Sequence, residues 1–208
     1  MIETVVNIIQ LIITGACSGI ALFNAVRTEH RAWTLVGLFS GIFFMGDLYW
    51  LLFLLFYGET PPYSFIPYMS WYASYLFMLL LLVTVKGGIR RRPVRRILIP
   101  VMVFTVSMCL YYMTFGDYIG NTICMLLMSM LIYHSADGLI NHTGTETGGN
   151  SRPIFEATLF FCFAEYGSWT VSCFSEGRAV RDLYYLFDLL LSLSFILIVL
   201  AARKAVDR

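Results

Sequence analysis

Charged residues are scarce in this sequence. Lys, Arg, Asp and Glu make up 13% of the 208 residues, about half of the roughly 25% that is usual in soluble domains. Apolar types make up 59%, and a soluble chain of this length could not bury so much apolar surface. The composition therefore predicts that lipid is part of the solvent. A formal net charge of +1 argues against a nucleic-acid partner.

Metal-ligating residues are also few. The sequence has three histidines, and its five cysteines stand inside apolar runs without a CxxC pair. We predict packing roles for the cysteines, no zinc set like that of the ceramidase and adiponectin-receptor hydrolases, and no cofactor. The first apolar run, over residues 2–26, lacks a basic start and is longer than a signal-peptide core, which predicts a mature helix.

Long apolar runs, by contrast, are abundant. A membrane helix needs about 20 apolar residues, and seven runs reach or approach that length. Glycine and proline pairs and a polar segment over 141–153 separate them. The fold class predicted is all-α, one polytopic domain over 1–208 forming a seven-transmembrane-helix bundle, with Pro100 in the first turn of the fourth span. The predicted spans are about 4–26, 33–57, 64–85, 97–115, 118–140, 154–175 and 183–202.

The basic residues indicate an orientation. Of the 14 Lys and Arg residues, only Arg178 and Arg181 fall in connectors on one side, and the rest fall on the other. The positive-inside rule then places the N-terminus outside and the C-terminus in the cytoplasm, and we predict a multi-pass plasma-membrane protein. The densest basic run, Arg90–Arg96, anchors this topology and is also a candidate contact for a cytoplasmic protein partner.

Three carboxylates interrupt the predicted spans: Asp47, Glu165 and Asp188. At a rise of about 1.5 Å per residue, each lies between the middle of the membrane and its outer surface. An ionisable group at that depth costs about 2.5–3.5 kcal/mol on insertion scales and usually faces the bundle interior. We therefore predict that the three carboxylates line an outward-facing cavity. The alternative is that they only hydrogen-bond helices to one another.

Aromatic residues accompany these acids at helical spacing. Interface belts alone would supply some of the rings. We assign five tyrosines to such a belt: Tyr63, Tyr68, Tyr111, Tyr112 and Tyr118. The deeper rings and the acids favour positive charge in a dry pocket, which predicts a small neutral or cationic ligand. The predicted ligand-binding residues are Asp47, Trp50, Trp71, Tyr72, Tyr75, Glu165, Trp169, Tyr184 and Asp188.

A second polar group lies at the inner end of the fifth span. His134 and Asp137 are three residues apart and share a helical face. Asn24 and Glu156 lie near the inner ends of their own spans. We predict a hydrogen-bonded cluster at the interface, with a proton relay as the alternative.

Some families resemble parts of this pattern. The Gly46-Asp47 pair and the Ser135–Asp137 segment are similar to the paired GD and SD motifs of the lysoplasmalogenase-like membrane proteins. That resemblance implies a membrane-embedded hydrolase in which Asp47 acts with Asp137 or Glu165 as general acid and base. Seven spans with an outside N-terminus also resemble rhodopsins, but the last span has no lysine for a retinal Schiff base.

The leading interpretation is a receptor-like or sensory binding module. Its bundle and basic tail resemble the membrane input modules of bacterial sensors, with partners that comprise the lipid bilayer, a small ligand and a cytoplasmic protein. The hydrolase is the first alternative, and a small cation- or proton-coupled transporter is the second. Catalysis needs two carboxylates beside one reacting bond, whereas an amine binder needs one carboxylate and rings.

Overall fold

Helices make up nearly all of the described chain. The computed structural model describes residues 2–58, 61, 65–86, 95–141, 150–174 and 178–206, without the side chains of 95, 141 and 178–181. The all-α prediction is confirmed, and each described helix overlaps one predicted span. The helices are α1 (Ile2–Thr28), α2 (Arg31–Tyr57), α3 (Phe65–Val85), α4 (Arg95–Met113), α5 (Tyr118–Asn141), α6 (Arg152–Ser172) and α7 (Arg178–Val206).

The surfaces of these helices are apolar. Side chains such as Ile12, Phe56 and Ile119 are 63%, 78% and 76% exposed, which water would not tolerate over so large a surface. Within the described residues, six helices are long and apolar enough to cross a membrane, and α6 is the exception. The chain is therefore a multi-pass membrane protein whose apolar helices contact lipid. That α6 crosses as well stays a prediction.

Two local features shape the helices. Gly58 ends α2 with a φ of 72°, and its N–H donates to the Leu54 carbonyl, a left-handed cap that glycine adopts without a Cβ clash. Pro100 lies inside α4, not in its first turn, so the prediction for this proline is wrong. The helix begins at Arg95, two residues before the predicted span, and Pro100 therefore removes one intrahelical hydrogen bond.

Six helices close a ring. Around it, α1 packs against α2, α2 against α3, α3 against α5, α5 against α6, α6 against α7, and α7 against α1. The remaining helix, α4, packs mainly on the outside of α5. Chain order and spatial order therefore agree except at α4, which is displaced from the wall of the ring.

Four phenylalanines fill the middle of the ring. Phe39 stacks on Phe195 with their ring centroids 4.8 Å apart, and Phe43 and Phe161 meet Phe195 edge-on at 4.9 and 5.9 Å. None of the four is more than 2% exposed. This aromatic core, defined as Phe39, Phe43, Phe161 and Phe195, separates the two ends of the bundle.

The two ends differ in their charged residues. One end, called here the cavity end, holds the start of α1 and the start of α7. The other, the basic end, brings together the α1–α2 connection, the end of α3, the start of α6 and the end of α7. Arg27, Arg31, Arg96, Arg152 and Lys204 are exposed at the basic end.

Candidate functional site

A cavity of about 360 Å³ lies at the cavity end, between α1, α2, α3, α6 and α7. The lining residues recur about one turn apart on each helix, as Glu3, Asn7 and Gln10 do on α1. Phe43 of the aromatic core also lines the cavity, so that core forms its floor. Within the described residues, the cavity is therefore built mainly from the faces of five helices.

Seven of the nine predicted ligand-binding residues lie on the cavity wall, and two do not. Tyr72 instead donates from its hydroxyl to the Gly120 carbonyl, 3.1 Å away, and Tyr75 lies behind Glu165. Tyr72 thus contacts α5, against which α3 packs, and Tyr75 contacts α6 through the Glu165 carboxylate. Whether the seven bind a ligand stays a prediction. They are Asp47, Trp50, Trp71, Glu165, Trp169, Tyr184 and Asp188.

Asp47 is held by two side-chain donors. The Trp71 indole N–H donates to its Oδ1 at 3.3 Å, and the Gln10 amide donates to its Oδ2 at 3.4 Å. Gly46 makes the first bond attainable, because a Cβ at that position would lie 2.9 Å from Trp71 Nε1. The Gly-Asp pair therefore has a local structural reason: the glycine lets α3 bring its indole beside the carboxylate.

Glu165 is a buried carboxylate with a hydrogen-bond donor at only one of its two oxygens. It is 8% exposed, and its Oε1 accepts a hydrogen bond from the Tyr75 hydroxyl. Its Oε2 is buried and has no hydrogen-bond partner. A buried carboxylate oxygen without a donor is costly, so Oε2 is an unpaired acceptor on a residue that lines the cavity.

Asp188 completes the group from α7. It is 4% exposed, and its Oδ1 accepts from the Ser168 hydroxyl at 2.9 Å. Tyr184, one turn earlier on the same helix, interacts with the same carboxylate. Asp188 therefore has local donors that Glu165 lacks at Oε2.

A fourth acid, Glu3, joins these three in the lining, and sequence reasoning missed it. No Lys, Arg or His side chain belongs to the lining as far as the structure describes it; the side chains of Arg178 and Arg181 fall outside that description. Like charges repel strongly in a low dielectric. Among the described residues of the lining no cation is available, so these carboxylates favour a bound proton or an external cation. The missed signal is the spacing, because Glu3 stands four residues before Asn7 on the same polar face.

Aromatic rings form one continuous side of the cavity. Trp50 and Trp71 have centroids 6.2 Å apart, Trp71 and Tyr68 5.5 Å, and Tyr68 and Trp169 6.1 Å. These four residues, all in the lining, are called here the ring wall. Tyr68, predicted as a belt residue, is thus placed between two cavity tryptophans, and that prediction is wrong.

Tyr112 is a second tyrosine that the belt prediction misplaces. It is 0% exposed, and its hydroxyl lies 2.6 Å from Thr170 Oγ1. The residue is on the side of α4 that packs into the bundle. The position of Tyr112 along the predicted span gives its depth in the membrane, but not which side of α4 faces the other helices.

At the basic end, Asp137 forms a buried ion pair with Lys86. Their side chains are 0% and 7% exposed. The sequence grouped Lys86 with the topology anchors, but its ammonium enters the bundle to meet the carboxylate. Asp137 is absent from the cavity lining, so the structure does not bring it together with Asp47. Its neighbour His134 keeps a buried Nδ1 without a hydrogen-bond partner.

The other predicted members of that polar group are elsewhere. Asn24 donates to the carbonyl of Ile20 in its own helix. Glu156 is exposed and accepts from Arg152 Nε at 2.8 Å. The predicted cluster therefore reduces to Asp137 with Lys86 and the nearby His134.

Two further predictions concern metals and partners. Within the part of the chain that the structure describes, no group of three or more His, Cys, Asp or Glu residues could hold a metal ion. Most of Arg90–Arg96, the candidate partner contact, lies outside the described residues; Arg96 within it is exposed. Contact with a protein partner stays a prediction.

Comparison with known proteins finds no relative. No protein-family model matches the chain, and neither a curated protein nor a solved structure matches it significantly. No relative therefore supplies a function, and only the chemistry of the cavity bears on it.

Proposed function

We propose that this protein is a receptor-like or sensory binding protein of the plasma membrane, whose outward-facing cavity takes a small neutral or cationic ligand. The observation that carries the proposal is a cavity with four carboxylates and a ring wall, in which no described basic side chain belongs to the lining. Among the ligands of this class, a cation fits best. Its charge would balance the acids, and the faces of aromatic rings attract it electrostatically.

The seven-span orientation with the N-terminus outside is part of the proposal. The exposed basic residues gathered at the basic end support it. A membrane-impermeant thiol reagent on intact cells tests it with two variants at the ends of one helix. Ile2→Cys should be labelled and Thr28→Cys should not. Labelling of Thr28→Cys but not of Ile2→Cys would show the opposite orientation, with the N-terminus in the cytoplasm.

Binding is favoured over the alternatives by two observations. A transporter would need a path through the aromatic core, whose four rings are almost completely buried. The hydrolase suggested by the paired motifs would need Asp47 and Asp137 at one bond, but Asp137 is occupied by Lys86. A hydrolase using Asp47 with Glu165 keeps one supporting observation, since both line the same cavity.

The test of the proposed function is a thermal-shift comparison in detergent. A ligand that binds the folded protein raises its midpoint in proportion to RT ln(1 + [L]/Kd). Small amines should raise it, and carboxylate anions of matched shape should not. The amine effect should also fade as pH falls, because protonated carboxylates no longer attract a cation.

Matched variants make this test specific. Asp47→Asn and Glu165→Gln each remove one cavity charge and should weaken the amine effect. Glu156→Gln removes an equal charge from the exposed face of α6 and should leave the effect unchanged. Stabilisation by anions rather than amines, or amine binding that ignores both cavity substitutions, would show that the cavity is not an acidic cation site.

A further inference from the structure

Glu165 differs from the other well-described acids of the cavity in its hydrogen bonds. Asp47 accepts from two side chains and Asp188 from Ser168. Glu165 Oε1 accepts from Tyr75, while its Oε2 is buried with no partner. A tyrosine thus orients the carboxylate at one oxygen, and the other oxygen is buried without a donor among the described residues.

The unpaired oxygen, Glu165 Oε2, favours a cation that can also donate a hydrogen bond. A quaternary ammonium has no N–H, so it could neutralise the charge without satisfying the acceptor. A protonated primary or secondary amine supplies both charge and donor, and a charge-assisted hydrogen bond is about twice as strong as a neutral one. The buried Oε2 of Glu165 therefore selects for an amine that keeps at least one N–H.

The rest of the cavity adds a second requirement. The ring wall presents Trp50, Trp71, Tyr68 and Trp169 in consecutive contact, and Glu165 lines the same 360 Å³ cavity. Aromatic pairs gain attraction beyond simple area burial when offset or edge-on. A flexible alkyl chain would bury area here but would gain none of this preference.

We infer that the cavity takes a protonated primary or secondary arylalkylamine, whose N–H donates to Glu165 Oε2 and whose ring lies against the ring wall. This inference rests on the proposed function and narrows its ligand class. The short alkyl link lets the amine contact Glu165 while the ring contacts the ring wall of the same cavity. Both requirements can be tested separately with small commercial compounds.

The experiment is calorimetric titration of the purified full chain in detergent with four probes. Phenethylamine carries the ring, the charge and the N–H. Its N,N,N-trimethyl derivative keeps ring and charge but has no N–H. Octylamine has the same number of heavy atoms, the charge and the N–H, but no ring. Phenylethanol keeps the ring and size but carries no charge.

Phenethylamine should bind at least about tenfold more tightly than its trimethyl derivative, the value of one charge-assisted hydrogen bond. It should bind about fivefold more tightly than octylamine, as expected for aromatic contacts beyond area burial. Equal or tighter binding of either comparison amine, with phenylethanol still weak, would overturn this inference and leave the cation site intact. Equal binding of phenylethanol would overturn this inference and also the preference for a cation within the proposed function.

Variants locate the two preferences. Glu165→Gln should reduce the preference for phenethylamine over its trimethyl derivative to about twofold, whereas Glu156→Gln on the same helix should preserve it. Tyr68→Leu should remove the preference over octylamine, whereas Tyr118→Leu, 65% exposed in the wild type, should not. A Glu165→Gln protein that elutes as a folded species and retains the full N–H preference would overturn the assignment to Glu165.

Discussion

The two ends of the bundle differ in whether a described basic side chain accompanies their buried carboxylates. At the basic end, Asp137 is fully buried and the chain supplies Lys86 as its counter-charge. At the cavity end, Glu165 and Asp188 are almost as deeply buried, but the described lining contains no basic side chain. Among the described side chains, Asp137 therefore has a basic partner, whereas Glu165 and Asp188 have none in the cavity lining.

This difference separates structural from functional acids. A buried ion pair is costly to break, because removal of one partner leaves an uncompensated charge. A buried acid without a partner already carries that cost in the free protein, so a bound cation can remove it. The comparison therefore predicts that substitutions at the basic end damage stability and that those at the cavity end damage binding.

The largest effect is expected for Lys86→Met. It leaves Asp137 buried without its cation and should lower the free energy of unfolding by about 3–5 kcal/mol. Denaturant titration in detergent measures the change. Lys204→Met removes an exposed lysine from the same end and should cost almost nothing. The double variant Lys86→Met/Asp137→Asn should recover much of the loss, and a loss equal to the sum of the single effects would refute the pairing.

A smaller effect is expected for Gly167→Ala, which changes packing at the cavity end without changing charge. An added Cβ would lie 2.0 Å from the Phe187 ring, so either this ring must move or α6 and α7 must separate locally. Overpacking of this kind costs about 1–3 kcal/mol and should also loosen Ser168 from Asp188. Gly19→Ala, where an added Cβ meets nothing within 4 Å, is the control and should be neutral.

A smaller effect, on amine affinity, is expected when Asp47 loses its hydrogen bond from the Trp71 indole. Trp71→Phe keeps a ring on the wall but removes the 3.3 Å hydrogen bond. Amine affinity should fall about fivefold, close to 1 kcal/mol, since this bond is long. Trp33→Phe, outside the cavity lining, should leave affinity unchanged. An unchanged affinity in Trp71→Phe would mean that Asp47 needs no orientation.

The smallest effect is expected for the stability of Glu165→Gln without ligand, and it contrasts most strongly with that of Lys86→Met. Glu165→Gln removes a charge that has no basic partner, so the free energy of unfolding should stay within about 0.5 kcal/mol or rise. The same denaturant titration used for Lys86→Met gives the comparison. A loss of several kcal/mol would show that Glu165 is paired in the free protein and that the two ends do not differ.

The sequence allowed the helices and much of the cavity to be predicted. The length of an apolar run determines where a helix can cross lipid. The cost of placing a charge in lipid then predicts that Asp47, Glu165 and Asp188 face the bundle interior. Spacing of three and four residues then places rings on the same faces. Run length, depth in the membrane and the shared face of a helix are all properties of one segment, so the linear sequence is enough to predict them.

The remaining features depend on which helices are neighbours. Lys86 could be recognised as the partner of Asp137 only once α3 was known to pack against α5. Tyr112 was misassigned because its burial depends on the sideways displacement of α4, and Tyr72 because its face of α3 turns toward α5. Periodicity gives the face of a helix but not the neighbour that covers it.

The measurement that tests the central claim most directly is an experimental structure of the protein determined with and without saturating phenethylamine. The account predicts new density between the ring wall and the acids, with the amine nitrogen about 2.7–3.2 Å from Glu165 Oε2 and the Lys86–Asp137 pair unchanged. An unaltered cavity at saturating amine, or an amine bound at the basic end instead, would contradict it.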